Sequence, residues 1–267
     1  MAPVVVTREL GVAPHLRPFV IGYRPYDMTG WPPGVHRGLP DGCINMMISL
    51  GGLCSIARSG QAPVRGSVVS GLLLGPVAVV HEGTQTGVEV TLTPSGSRAI
   101  LGMPASQLSD EIWPLDAVIG ARANELVERL SPCGSATEIR LSLDDALTTW
   151  LTDARIPVIP DAAWRIMRSS AGSCPVSRLA SEVGIGRRQL SALVGAELGL
   201  SPKELARVFR FAAAGRRLRS GRASSLAATA ASCGYYDQSH FTNDWKTFAG
   251  CTPSQWVAEE LPFLQDN

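Results

Sequence analysis

CGYYDQSHFTNDWKTFAGCTP, Cys233–Pro253, decides how the last third of this 267-residue chain folds. Asp237, Ser239 and His240 are the residue types of a hydrolase triad, and they stand within four positions of one another. A triad needs a nucleophile–base contact near 3 Å and a second contact that orients the base. On one helix, Ser239 and His240 are neighbours about 100° apart and do not face each other in that way. No G-x-S-x-G elbow occurs in the chain. The helical reading explains every residue instead. Phe241, Trp245 and Phe248 fall at i, i+4 and i+7 and make one buried stripe. Gln238, Ser239, Asn243 and Lys246 fall away from it, open to a partner. Asp237 precedes the helix as its N-cap or first-turn acid, favoured by the helix dipole. No catalytic residue is assigned.

About fifty residues earlier the same pattern occurs once more. LASEVGIGRRQL, from Leu179, aligns with TAASCGYYDQSHF, from Thr229: Ala180, Val183, Gly184 and Ile185 match Ala230, Cys233, Gly234 and Tyr235 at identical spacing. The second copy carries one extra residue before its next apolar anchor, Phe241 in place of Leu190. Each copy is a short helix of small residues, a glycine suited to a left-handed turn, an apolar plug and a second helix. That is the helix-turn-helix pattern, and a generic helical corner shares its local chemistry. Two copies joined by a basic helix favour the first reading. Leu190, Val194 and Leu198 form the inner stripe of the earlier second helix and expose Arg187, Arg188, Ser191 and Ala192. The joining segment has Pro202 in its first turn, where proline is tolerated. Its apolar Leu205, Phe209 and Leu218 alternate with Arg207, Arg210, Arg216 and Arg217, arginines available to phosphates.

Upstream the periodicity changes. CINMMISL, SVVSGLLLG, VAVVHEG and GVEVTLTP are short, β-branched or alternating runs between turn pairs, as in an antiparallel sheet or barrel. Val88, Val90 and Leu92 alternate with Glu89, Thr91 and Thr93, as a half-buried strand requires. After about residue 105, ANELVERL and EIRLSLDDALTTWL show helical spacing. A proline-containing stretch, RIPVIPD, then leads to the helical third. Charge divides with the periodicity. Residues 1–169 hold 13 basic and 15 acidic residues, whereas residues 174–258 hold 11 and 5. A basic module beside a mildly acidic one suggests a polyanion partner.

The six cysteines include no C-x-x-C pair, and no histidine stands at zinc-finger spacing, so they read as small buried apolar residues. His36 and His81 lack an H-x-H motif, and structural roles are favoured over metal ligation in a barrel. No metal or cofactor is expected. Cys43 and Asn45 share one face of a strand and are candidates for lining a ligand pocket, with core packing as the alternative. Met46 and Met47 face opposite sides. No apolar run approaches the roughly 18 residues of a membrane span. The N-terminus lacks the layout of a signal peptide, so a cytoplasmic location is expected.

The residues from Cys174 to Trp256 resemble the AraC/XylS-type transcription regulators. C-G-Y-Y-D-Q-S-H-F-x-x-x-W-K-x-F-x-G-x-T-P looks like that family's signature, and L-A-x-x-V-G-I-x-R-R-Q-L…E-L-G-L-S-P-K matches its first module. PDGC and LTPSGSRAILGMPASQL are similar to the sensor domain of one subgroup. The resemblance implies two helix-turn-helix modules that enter successive major-groove segments of duplex DNA. Position by position, it implies base reading by Arg188, Ser191 and Ala192 in the first module and by Gln238, Ser239 and Asn243, with His240 nearby, in the second. Arginine pairs with guanine, and Gln or Asn with adenine. Arg187, Ser201, Lys203 and Lys246 are assigned to phosphates, which position without specifying sequence. Ala192 and Leu193 stand where basic residues are common, and Asn243 and Asp244 replace an Arg-containing pair. Trp245 stands where Phe is usual.

The expected fold is α+β. It has an N-terminal cupin-like antiparallel β domain with flanking helices, and a C-terminal all-α domain with two helix-turn-helix modules. The expected division is a sensor or dimerisation domain at 1–155, a linker at 156–172 and the DNA-binding domain at 173–267. Expected partners are double-stranded DNA, a small-molecule effector, RNA polymerase and a second copy of the chain. A binding module that has lost strong DNA affinity and a metal-dependent cupin enzyme are the rival readings.

Overall fold

Alternating strands from the first 114 residues build two antiparallel sheets. A computed structural model of the chain describes residues 4–7, 9–52, 54–221 and 225–265. The strands are β1 (Val4–Thr7), β2 (Val20–Thr29), β3 (Gly34–Gly38), β4 (Ile44–Gly51), β5 (Cys54–Ala57), β6 (Val64–Arg65), β7 (Val68–Ser70), β8 (Val77–His81), β9 (Gln85–Leu92) and β10 (Ile112–Pro114). One sheet runs β1-β2-β9-β4-β7-β10 and the other β3-β8-β5-β6. Val88, Val90 and Leu92 are fully buried and Glu89 and Thr91 only partly so, as the alternation predicts. The fold is mixed α+β, with a cupin-like N-terminal portion and a helical C-terminal one.

The helices are α1 (Pro94–Gly96), α2 (Leu115–Ile119), α3 (Arg122–Leu130), α4 (Ala136–Trp150), α5 (Val158–Ser169), α6 (Val176–Glu182), α7 (Arg187–Leu198), α8 (Pro202–Arg219), α9 (Leu226–Ser232), α10 (Gln238–Ala249) and α11 (Pro253–Gln265). Residues 156–172, expected as a linker, are mostly helix. Pro157 caps α5 and Pro160 lies within its first turn, where a proline lacks no needed hydrogen bond. Ala163, Trp164 and Met167 of α5 are buried.

The core does not divide where the periodicity changes. One continuous cluster runs from Ile44, Met46, Val90 and Leu101 of the β portion through Trp164 to Leu179, Leu190, Val194, Leu198 and Phe209. A second cluster holds Val208, Phe211, Phe241, Trp245, Phe248 and Trp256. The joining helix α8 therefore gives one face to each. The Trp164 indole N–H donates to the carbonyl of Gly42 at 2.8 Å. Gly42 has φ +80°, and a Cβ there would lie 2.6 Å from the Phe209 ring. Arg98 and Glu197 close the same junction with paired hydrogen bonds of 2.5 and 2.6 Å.

All six cysteines are free; Cys43 and Cys54 are buried, while Cys133, Cys174, Cys233 and Cys251 are half-exposed. The expectation of uniform burial holds only for the two in the β portion. Among the described residues, no helix is long and apolar enough to cross a membrane.

Candidate nucleic-acid interface

The two sequence copies fold into the same local geometry. Gly184 and Gly234 have φ of +73° and +75°, which ends α6 and α9 with a left-handed residue. The following N–H reaches back identically in each copy, Ile185 to the Ala180 carbonyl and Tyr235 to the Ala230 carbonyl, both at 3.0 Å. Ile185 and Tyr235 plug the corner: Ile185 packs against the first core cluster and Tyr235 lies in the second. The second helices, α7 and α10, end in turn at left-handed Gly199 and Gly250.

The inner stripes are as spaced: Leu190, Val194, Leu198, Phe241, Trp245 and Phe248 are each 1% exposed or less. Outside them, Arg187, Arg188, Ser191 and Ala192 of α7 and Gln238, Ser239, Asn243 and Lys246 of α10 are exposed. Asp237 is the N-cap of α10, its carboxylate accepting the His240 N–H at 2.7 Å. Trp245 sits edge-on to Phe241 and Trp256, a core residue.

Four assignments change. Asp244 is not on the outer face: it is 5% exposed, and one carboxylate oxygen accepts Arg207 Nε at 3.2 Å and Nη2 at 2.8 Å. Its position one flank off the stripe turns it toward α8, so it removes no charge from the exposed face. His240 is exposed and turns its ring toward that same flank, with Nε2 4.0 Å from Asp244 and the ring edge-on to Tyr235. Ser201 caps α8 in a capping box. It accepts the Glu204 N–H and its own N–H and hydroxyl donate to the Glu204 carboxylate, which occupies the hydroxyl. The arginines of α8 are not uniformly free for phosphates, since Arg207 holds Asp244; Arg216 is exposed and lines a large cavity open to solvent. Lys203 remains exposed.

That cavity, about 1630 Å³, lies between the sheets and the helical portion. It exceeds the roughly 300–1,000 Å³ common for small-molecule sites. Cys43 and Asn45, both singled out from the sequence, line it, with apolar Met28, Met47, Val68, Ile112 and Trp256. The Asn45 amide donates to Asp41 at 3.3 Å, and burial pushes the Cys43 thiol well up from its ordinary pKa. Arg24 of β2 pairs with Glu89, Nε to carboxylate at 2.8 Å. Arg168, Arg216 and Arg219 also line the cavity. Enclosure by protein, then the like charges of Arg24 and Arg216, lower the Arg219 pKa. The sequence offered no signal for Arg24 or Arg168, because only the tertiary fold brings β2, α5 and α8 around one cavity.

His36 and His81 stack with ring centroids 4.6 Å apart, on paired strands β3 and β8. Among the described residues, no group of three His, Cys, Asp or Glu is placed to hold a metal ion.

Residues 179–259 match the family model of a helix-turn-helix domain, and residues 9–114 match that of a domain of unknown function (DUF6597). An AraC-like transcription regulator of Streptomyces antibioticus is 33% identical over 127 residues. That match covers 46% of this chain and 42% of the relative, so the chain spans less than half of the relative's length. The crystal structure of ToxT from Vibrio cholerae O395 superposes with a TM-score of 0.51 at 12% identity, covering 88% of this chain and 96% of ToxT. Wild-type ToxT from strain SCE256 with an unsaturated fatty acid bound gives 0.53 at 10% identity, covering 88% and 94%. These structures share the fold. With both modules built and matched, residues 179–259 form a helix-turn-helix domain set behind a domain of unknown function, in a chain similar to an AraC-like transcription regulator.

Proposed function

We propose that the chain is a transcription regulator of the AraC type, whose two modules bind duplex DNA and whose β portion takes a small-molecule effector. The observation that carries the reading is the pair of modules with matching left-handed corners and exposed polar second helices. Arg188 and Gln238 are the residues best suited to bidentate base contacts, with Ser191, Ala192, Ser239 and Asn243 beside them. Arg187 and Lys246 serve phosphates. His240 and Ser201 are assigned here to structure around the interface, from the contacts above. We assign no catalytic step, and the location proposed is cytoplasmic.

The effector site is the large cavity. ToxT has been crystallised with an unsaturated fatty acid. The chamber's wall is part apolar and carries both signs of charge; Arg24 holds Glu89 and Arg37 holds Glu260, so Arg168, Arg216 and Arg219 are the cations that suit an apolar organic acid. Homodimerisation and contact with RNA polymerase belong to the same proposal.

Fluorescence anisotropy on genomic fragments at low and moderate salt tests the reading. A sequence-specific complex is expected. Arg188→Ala should lose about 1–3 kcal/mol of discrimination at one base pair, and Lys246→Ala should weaken all sequences alike. Folded protein that prefers no fragment at either salt refutes it.

A further inference from the structure

Beside the second recognition helix lies a cleft of about 470 Å³, lined by Ser173, Cys174, Lys203, Arg207, Arg210 and His240, with Gly172, Pro175, Val176 and Ala206. Among the described residues, no carboxylate lines it. Its three cations come from one face of α8, at i, i+4 and i+7, and the His240 imidazole comes from the first turn of α10. The remaining wall is the turn that leads into α6. The cleft is thus where the first module, the joining helix and the second module meet.

The three cations differ in what they already hold. Arg207 is paired with Asp244 and stacks 5.1 Å over Phe248, so it sets the angle between α8 and α10. Arg210 donates Nη2 to the Gly172 carbonyl at 3.3 Å and lies 5.5 Å over the Tyr235 ring. Neither Lys203 nor Arg210 has a carboxylate partner among the described residues. Two cations without a carboxylate partner, Lys203 and Arg210, on one concave wall call for an oxyanion.

We propose that this cleft seats a phosphate group of the DNA backbone, held by Lys203 and Arg210 with His240 at its edge. The proposal rests on the DNA-binding reading above. It adds a contact made chiefly by the joining helix α8. His240 shares the first turn of α10 with Gln238 and Ser239, so the cleft opens next to the face that would enter the groove. A strand bordering that groove then crosses the junction, and the seat fixes the spacing of the two modules along the duplex.

The test uses the full chain with Lys203→Ala, Arg210→Gln and their double variant, and Arg129→Ala on α3 as the control. Melting temperatures identify any variant that fails to fold, and Lys203→Ala, at an exposed position, keeps the test open if Arg210→Gln does not. Anisotropy on a bound fragment and on a scrambled one is read from 50 to 200 mM salt. Each single variant should flatten the log–log salt slope by about one unit, which is about a 3.5-fold smaller loss of affinity over that range. Base preference should stay unchanged. Stabilisation of the protein by inorganic phosphate is measured in parallel. Unchanged slopes, with phosphate stabilisation lost in the double variant, overturn the DNA assignment in favour of a free anion. Unchanged slopes without phosphate stabilisation overturn the seat itself. Wild-type protein that binds no DNA refutes the parent reading, and the phosphate arm then decides whether an oxyanion seat exists.

Discussion

Removing Arg98 should cost the protein more than removing its partner. Arg98 and Glu197 join the turn after α1 to the recognition helix α7 through a fork of two hydrogen bonds, at 2.5 and 2.6 Å. Glu197 keeps 9% of its side-chain surface and Arg98 31%. Arg98→Ala therefore strands a carboxylate inside protein, whereas Glu197→Ala leaves a long guanidinium that can turn to water. A fully buried pair loses about 3–5 kcal/mol when one partner goes. With Arg98 a third exposed, the low end applies, about 3 kcal/mol for Arg98→Ala. Glu197→Ala should cost about 1–1.5 kcal/mol, the net value of an ordinary hydrogen bond. The double variant should lie near the second figure, because no charge is then stranded. Urea unfolding of the four proteins, compared at constant m-value, measures all three. An Arg98→Ala cost equal to or below that of Glu197→Ala would refute the reasoning. Arg98→Lys should recover less than half, since an ammonium cannot make the fork.

Three further outcomes are expected. Gly42→Ala should destabilise by about 2–3 kcal/mol, by forcing a left-handed residue and displacing the Phe209 ring, read as a fall in melting temperature. Burial raises the pKa of Tyr23, Tyr26 and Tyr235. The unfolded chain sheds these protons near pH 10 while the folded one keeps them, so stability should hold below about pH 10 and fall above it. Tyr23→Phe should make that fall shallower in urea titrations between pH 8 and 11. Dodecanoate should stabilise the protein in a concentration-dependent way, by about 2.7 kcal/mol at a hundredfold excess over Kd, seen as a rise in melting temperature. Dodecanol should not, and Arg216→Ala with Arg219→Ala should abolish the difference.

The modules were legible because their signals are local. A glycine, the plug after it and an apolar stripe each depend on residues within four positions, and all three recur. The strand alternation of Val88, Val90 and Leu92 is local too. The capping box at Ser201 was also written in the chain, as Ser-Pro-Lys-Glu, and a reading of serine as a phosphate ligand passed over it. Asp244 was different. Helical angle placed it on a flank, but only Arg207, thirty-seven positions away, decides that the flank faces inward. The cavity arginines come from β2, α5 and α8, and no spacing links them.

The continuous core between the sheets and the first module bears on how such chains can be recombined. Exchange of sensor domains between regulators treats the segment before Cys174 as a seam. Here a cut at that seam would sever Leu101 and Trp164 from Leu198 and Phe209, and leave a fragment with an open apolar flank. A graft that carries its own first module, and joins within α8, would transplant an intact core. The heritable unit in this chain runs across the visible boundary, and its natural joint is the middle of a helix.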